Sequence, residues 1–189
     1  LAEFDRVAAL RETPAGRDMV LAIGLVTSFG CTLQGDVEPE AVLAVARHTV
    51  ANGADEVIVA DTVGYGNPAQ VRALLPPILE IADGRRVVCH FHDTRGLGLA
   101  NLLAALDCGV RAFDSSLAGL GGCPFAPGAT GNINTEDAAF LLESMGFSTG
   151  IDIKALIELR RDVEGWLGDE RYSGAIARAG LPRNFHYAT

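Results

Sequence analysis

Residues 86–94 read RVVCHFHDT. A charged residue opens the run, apolar residues fill it, and two histidines two positions apart close it before a polar turn. Arg86 to Phe91 has the length and content of a short strand. Side chains alternate faces along a strand, so His90 and His92 share one face and Phe91 takes the other. The same cadence recurs outward in both directions. Glu56 to Ala60 (EVIVA) precedes it and Arg111 to Leu117 (RAFDSSL) follows it, each leading through a polar or glycine-bearing turn into a helix-like stretch. Further upstream, Val20 to Ser28 is an apolar run with the length and β-branched content of a buried strand. Pro39 to Asn52 then carries apolar residues at helical spacing and stops at Gly53, where a left-handed cap is easy. Continuous apolar strands joined by helices imply a parallel sheet covered by helices. Periodicity does not separate an open doubly wound sheet from a closed eightfold barrel.

Two segments depart from that rhythm. Pro76-Pro77 falls inside the helix that begins near Pro68; neither residue can donate a backbone hydrogen bond, so a kink or a break is expected there. After Gly146 the pattern becomes helix only: Asp152 to Leu167 is amphipathic, and Ser173 to Thr189 reads as a short helix and a loose tail. No linker divides the chain.

Of the 189 residues, 49% are apolar and 21% charged, enough for a sizeable core in one globular domain. A net charge of -9 provides no broad cationic field, which argues against nucleic acid as a partner. An anionic small molecule would need a local basic pocket. No apolar run approaches the roughly 20 residues that span a bilayer, so no membrane partner is expected. Cys31, Cys89, Cys108 and Cys123 form no CxxC pair, which suggests reduced thiols in a cytosol-like compartment. One Lys among 15 basic residues suggests a bacterial source, so a bacterial cytoplasm is expected, with a mitochondrial location as the alternative.

The chemistry collects at the C-terminal ends of the strands. His90 and His92, on one face, can share a cation, or can be two histidines hydrogen-bonded in a packed sheet end. Asp93 can orient a ligating imidazole or cap the next helix. Asp61, after EVIVA, and Asn132 can supply oxygen ligands or substrate contacts. Imidazole and oxygen donors together suit Mg²⁺ or Mn²⁺, and zinc fits the same set. Ala118 to Asn132, AGLGGCPFAPGATGN, holds five glycines and two prolines directly after a strand. A dinucleotide fingerprint fails there, because the third glycine of GxGxxG would fall at Pro124, and no Lys-Ser/Thr follows as a phosphate loop requires. A lid or a backbone cradle remains. Cys123 is then either a thiol carried over a site by the lid or a small buried hydrophobe.

Taken together, HFHDTRGLGLANLLAAL and AGLGGCPFAPGATGNINTED resemble the 3-hydroxy-3-methylglutaryl-CoA lyase family of metal-dependent barrels. The resemblance also takes in LAEFDRVAAL at Leu1, FGC at Cys31, ADTVG at Asp61 and GLPRNF near the C-terminus. Condensing synthases of the same superfamily have HxHND-like and NGIGERAGN-like motifs, whereas this chain has HFHDT and GLGGCP, which favours the lyase branch. The resemblance implies a divalent metal on His90, His92 and Asn132, a catalytic thiol at Cys123, His90 as a participant in proton removal, and Asp61 and Glu136 near the substrate. It implies cleavage of an acyl-CoA thioester, hydroxymethylglutaryl-CoA, to acetyl-CoA and acetoacetate. TLQG after Cys31 and TVGYG after Asp61 depart from the CPYEG-like and TIGVG patterns, so citramalyl-CoA or a related 3-hydroxy acyl-CoA fits as well. A condensing acyltransferase and a non-catalytic half-barrel module for metal binding or assembly are the other readings.

The family's Arg-Asp-Gly-Leu-Gln strand does not occur in the sequence. Residues 1–189 are therefore expected to form the C-terminal half of a single (β/α)8 TIM-barrel domain, about four β-α units plus C-terminal helices. The remaining strands are expected to lie outside this sequence or on a partner chain. The amphipathic C-terminal helices are expected to cover a barrel end or to pack a homo-oligomer, a dimer.

Overall fold

The computed structural model describes residues 1–122 and 131–189. A short helix, α1 (Ala2–Ala8), and a single 3-10 turn (Ala9–Glu12) lead into four strands: β1 (Ala22–Leu25), β2 (Glu56–Asp61), β3 (Arg86–Phe91) and β4 (Ala112–Asp114). Helices α2 (Pro39–Ala51), α3 (Pro68–Ala82) and α4 (Gly98–Asp107) connect them, and α5 (Thr135–Ser144), α6 (Ile153–Leu167) and α7 (Ile176–Ala179) follow. The strands are all parallel and stand in the order β1-β2-β3-β4.

That order separates the two architectures that periodicity leaves open. A doubly wound sheet reverses its strand order at a switch point and places helices on both faces. Here the order runs straight, and α2, α3 and α4 pack on one face. Val42, Leu43 and Ala46 of α2, Val71, Leu75 and Ile78 of α3, and Leu102 and Ala105 of α4 share one core with Leu25, Val57, Val59, Val87, Cys89 and Phe91. The result is part of a (β/α)8 barrel, with Gly24, Ile58, Val88, His90 and Asp114 on the other face.

Each helix has a readable start. Asn67 and Gln70 form a capping box on α3: Asn67 Oδ1 accepts from the Ala69 and Gln70 amides, and Gln70 Oε1 accepts from the Asn67 amide at 3.1 Å. Pro39 occupies the first turn of α2, where its missing N–H costs nothing. The helix across Pro76-Pro77 is not broken, and α3 continues over 15 residues. Each proline costs about 3 kcal/mol in an isolated helix. Val71, Leu74, Leu75, Ile78 and Ala82 are buried on both sides of the pair, and this packing outweighs the local penalty.

Strand boundaries also differ from expectation. The run Val20–Ser28 forms only four residues of strand, because β1 pairs with β2 over Ala22–Leu25 and, among the described residues, with no strand on its other side. Leu21 and Leu25 point into the core, while Val20 and Val26 are 73% and 66% exposed on the opposite parity. At the other edge, β4 has three residues and borders a cavity of about 490 Å³ against α5, lined by Phe113, Ala138 and Leu142. The C-terminal tail is pinned rather than loose. Phe185 sits between Phe140, which it meets tilted, and Tyr187, which it meets edge-to-face; the Tyr187 hydroxyl accepts from the Ile153 amide at 3.0 Å, and the Ala188 amide donates to Glu143 at 2.7 Å. Among the described residues no helix is long and apolar enough to cross a membrane.

Candidate active site

The C-terminal ends of β2, β3 and β4 bring the polar groups together. In the parallel register Ala60, His90 and Asp114 stand side by side, so all three face the side without helices. His92 lies one pleat further, just past β3, and is 6% exposed. Segment 131–134 returns across this strand end. The Ile133 amide donates to Phe91 O and the Asp93 amide to Gly131 O, both at 3.1 Å, which sets Asn132 opposite His92. On its other side the same segment bonds Ser116, through Ser116 N to Ile133 O and Thr135 N to Ser116 O.

Two imidazole nitrogens confront each other: His90 Nε2 and His92 Nε2 are 3.2 Å apart. Metal–imidazole bonds are about 2.0–2.1 Å, so two neighbouring ligands of one cation stand roughly 3 Å apart. The spacing fits. His90 Nδ1 faces Asp114 Oδ2 at 3.5 Å, so the ring has a carboxylate behind it. Burial, and secondarily the adjacent His90, push His92 below the ordinary histidine pKa, which keeps its ring neutral near pH 7 with a lone pair available. Asn132 Nδ2 donates to Leu120 O at 2.8 Å, while among the described residues its buried Oδ1 and His92 Nδ1 have no hydrogen-bond partner. A buried acceptor without a donor is costly unless a ligand satisfies it. Among the described residues no group of three His, Cys, Asp or Glu could hold a metal; the candidate donors gathered at this strand end are two imidazoles and one amide oxygen.

The other residues singled out in the sequence divide by what their side chains touch. Asp93 caps α4, its Oδ1 accepting from the Gly98 amide at 2.8 Å. Asp61 is 1% exposed and its carboxylate receives the Tyr65 and Gly66 amides at 2.8 and 3.0 Å, which folds the loop after β2. Burial raises its pKa, and those two amides act against the rise. Glu136 is fully buried. Both its oxygens accept from the Ala118 amide, and Arg160 Nη1 donates to Oε1 at 3.2 Å. Cys123 lies outside the described residues. His48 pairs with Asp5 at 2.8 Å at the far end of the molecule, away from the two ligand candidates.

Three participants had no place in the sequence reading. Asp114 ends its strand as Asp61 does, and its parity with His90 was the available signal. Ala118 adopts φ +56 while fully buried, a left-handed conformation that a non-glycine residue keeps only when its surroundings impose it. Here Glu136 takes its amide and the Ser173 amide donates to its carbonyl at 2.8 Å. Arg160 then ties Glu136 to Ser173 O at 2.6 Å and to Glu164 at 2.6 Å. A cavity of about 780 Å³ opens beside this turn, with Asn132, Gly119, Gly131 and Tyr172 among its walls.

Comparison with known proteins places this geometry in context. The HMGL-like family model matches residues 3–163. Over 157 residues the chain is 48% identical to the (R)-citramalyl-CoA lyase of Chloroflexus aurantiacus, covering 83% of this chain and 49% of that protein. Over 153 residues it is 44% identical to the hydroxymethylglutaryl-CoA lyase of Pseudomonas mevalonii, covering 81% and 50% respectively. The structure of an HMG-CoA lyase from Acinetobacter baumannii in complex with coenzyme A and 3-methylmalate superposes on the whole chain with a TM-score of 0.89 at 37% identity, and 60% of that protein is covered. The chain thus spans about half the length of the curated relatives it matches.

Proposed function

Since the chain belongs to the HMGL-like family, we propose that it forms the metal-holding half of a carbon–carbon lyase acting on a 3-hydroxy acyl-CoA, with 3-hydroxy-3-methylglutaryl-CoA as substrate. The observation that carries this reading is the facing pair of Nε2 atoms on His90 and His92, 3.2 Å apart beside the unpartnered Asn132 Oδ1. His90, His92 and Asn132 would hold the divalent cation. Mg²⁺ or Mn²⁺ suits that donor set, and zinc is the alternative. When bound, it supplies Lewis acidity at the substrate's oxygens.

The chain's own groups divide the proton work. The substrate hydroxyl gives up its proton to a base, with His90 as candidate. The carbon–carbon bond then breaks, with its electron pair passing to the thioester as an enolate and acetoacetate leaving. A proton returned to that carbon, with Cys123 as candidate donor, completes acetyl-CoA. His90 cannot use one nitrogen for two tasks. As a ligand through Nε2 a neutral ring would carry its hydrogen on Nδ1, toward Asp114, and as the base it would take the proton at an unbound Nε2, so the two roles exclude each other at any one moment. Asp61 and Glu136 serve this reading as positioning groups, one folding the loop after β2 and the other fixing the turn after β4.

A second reading has its own support: the 48% identity to a citramalyl-CoA lyase, together with TVGYG after Asp61. Assays of the full gene product with both thioesters and added Mg²⁺ or Mn²⁺ separate the two, by detection of acetoacetate or of pyruvate beside acetyl-CoA. His92→Ala is expected to lose bound metal and at least a hundredfold in turnover. Metal content equal to the parent protein would falsify the ligand set.

A further inference from the structure

An acyl-CoA is a polyanion, and this chain carries a net charge of -9. Positive charge at the mouth of the site is therefore scarce. Among the described residues of the loops that follow the four strands (26–38, 62–67, 92–97, and 115–122 with 131–134), Arg95 is the one arginine or lysine. The other arginines lie outside these loops: Arg171 borders the cavity beside Asn132, next to Asp169 and Glu170, and several are spent on carboxylates, Arg11 on Asp55, Arg47 on Glu40, Arg72 on Asp107 and Arg160 on Glu136. Arg95 is exposed and has no carboxylate within ion-pair distance among the described residues.

Its position is built. Arg95 Nη1 donates to Val63 O at 2.9 Å and to Gly64 O at 3.3 Å, and the guanidinium lies over the Tyr65 ring at 4.5 Å. The loop beneath is locked from several sides. Asp61 holds the Tyr65 and Gly66 amides, Asn101 Nδ2 donates to Gly66 O at 3.0 Å, and the Thr62 hydroxyl accepts from the Thr27 amide at 3.0 Å. Two glycines make the close fit possible. A Cβ on Gly30 would come within 2.6 Å of the Tyr65 ring, and one on Gly64 within 2.9 Å of the Thr94 side chain. Backbone and glycine contacts thus fix a phenol and a guanidinium side by side at the ends of β2 and β3, three residues along the chain from His92. Arg95 Nε and Nη2 and the Tyr65 hydroxyl make no hydrogen bond to any described residue.

We infer that Arg95, braced on Tyr65, is an anion-recognition and specificity element of the site, receiving an oxygen of a carboxylate or phosphate group of the acyl-CoA; this rests on the lyase reading above. A planar guanidinium with one nitrogen committed to the backbone presents its remaining edge in a fixed direction, which favours one anion geometry. The carboxylate of the acyl part and the phosphates of coenzyme A share that chemistry.

The test uses Arg95→Met, Arg95→Lys and Tyr65→Phe in the full gene product. KM and kcat are measured for hydroxymethylglutaryl-CoA and citramalyl-CoA, and Kd for free coenzyme A by calorimetry, each at low and moderate salt. Arg95→Met is expected to raise KM for the preferred thioester roughly ten- to a hundredfold with a far smaller change in kcat. Its KM should also depend less on salt than that of the parent protein. Arg95→Lys, which keeps the charge and loses the fork, should recover part of the loss, and Tyr65→Phe should cost a few fold. A matching rise in Kd for free coenzyme A identifies a phosphate as the partner, and an unchanged Kd identifies the acyl carboxylate; either supports the inference. Unaltered KM and salt dependence in Arg95→Met, in a parent protein that turns over a thioester, overturn this inference alone. A fall in kcat with lowered thermal stability and no change in KM marks a purely structural arginine and overturns it too. A parent protein that binds neither thioester overturns the lyase reading and this inference together.

Discussion

The two walls of the site are held by different means. At the ends of β2 and β3 the loop 62–66 is fixed by Asp61, Arg95 and Asn101, groups belonging to the two strand-helix units that meet there. At the end of β4 the turn Leu117–Gly119 is fixed by Glu136, Arg160 and Ser173, which come from α5, α6 and the segment after α6. The first wall is a product of the repeating unit itself. The second depends on α5, the helix of the fourth unit, together with α6 and the segment after it, and on a buried ion pair. A buried pair stabilises little relative to an apolar replacement, but breaking it by removing one partner is expensive because the other charge is stranded. The β4 wall should therefore be the more easily broken of the two.

Arg160→Met is the strongest test of that difference. Glu136 would keep the Ala118 amide and lose its cationic partner while remaining fully buried. Urea unfolding should report a loss of about 3–5 kcal/mol. Removing both charges with Glu136→Gln and Arg160→Met should cost clearly less than the sum of the single changes, since neither variant then strands the other. A single-variant loss below about 1 kcal/mol would mean that backbone bonds from Ser173 hold the turn and that the two walls are alike.

Asp61→Asn probes the β2 wall and should be milder. The carboxylate accepts two amides, one on each oxygen, whereas an asparagine offers one acceptor and leaves the other amide facing an NH2 group. Losing one buried bond costs about 1–3 kcal/mol, and relief from burying a charge returns part of it. The pH dependence has a definite sign. Burial raises the Asp61 pKa in the folded state, so folding favours the protonated form. That contribution is present below the ordinary carboxylate value and is lost as pH rises through the raised one. The parent's advantage over Asp61→Asn should therefore narrow as pH climbs through that window in thermal unfolding. An advantage that widens instead would show that the folded carboxylate is stabilised, and the wall would owe more to charge than to its amide bonds.

Where the same loop enters α3, Asn67→Ala removes the acceptor for two first-turn amides. A loss of about 1 kcal/mol is expected from denaturant unfolding, as for other N-caps. The loop's other anchors should hold, so hydrogen exchange at Tyr65 and Gly66 should change little.

The contrast between the walls also explains what could be read in advance. Strand periodicity puts His90 and His92 on one face, and helical spacing followed by glycine ends α2 at Ala51 within a residue of the expected boundary. Both are local patterns. The choice between barrel and doubly wound sheet is a matter of strand order, which no window of sequence contains. Pro76-Pro77 does not break α3, because the rule against interior prolines is local, while the core under Leu74, Leu75 and Ile78 is not. Glu136 and Arg160 lie 24 residues apart on different helices, and nothing in their spacing marks them as partners. Asp93 is open to two roles in the sequence, and only the fold shows its Oδ1 on the Gly98 amide at the start of α4.

The smallest effect is expected at the opposite end of the sheet, where Asp55 joins β1 to β2. Its Oδ2 accepts from the Leu21 amide at 2.8 Å and from Arg11 at 2.9 Å. The Leu21 amide is the main cause that lowers the Asp55 pKa; burial opposes it, and Arg11 adds to the lowering. A depressed folded pKa means that the contribution is complete above the ordinary value of 3.8 and disappears as pH falls through the lower, folded value. The Arg11–Asp55 pair is partly exposed and screened, so Asp55→Asn should cost no more than about 1 kcal/mol at pH 7. The difference from the parent protein should vanish in acid below the folded pKa. Binding and turnover, if they belong to the strand ends at His90 and His92, should be untouched by this change. A loss of activity in Asp55→Asn beyond its loss of stability would mean that the register of β1 against β2 is transmitted to the site, and that the β2 wall is less self-contained than its bonds imply.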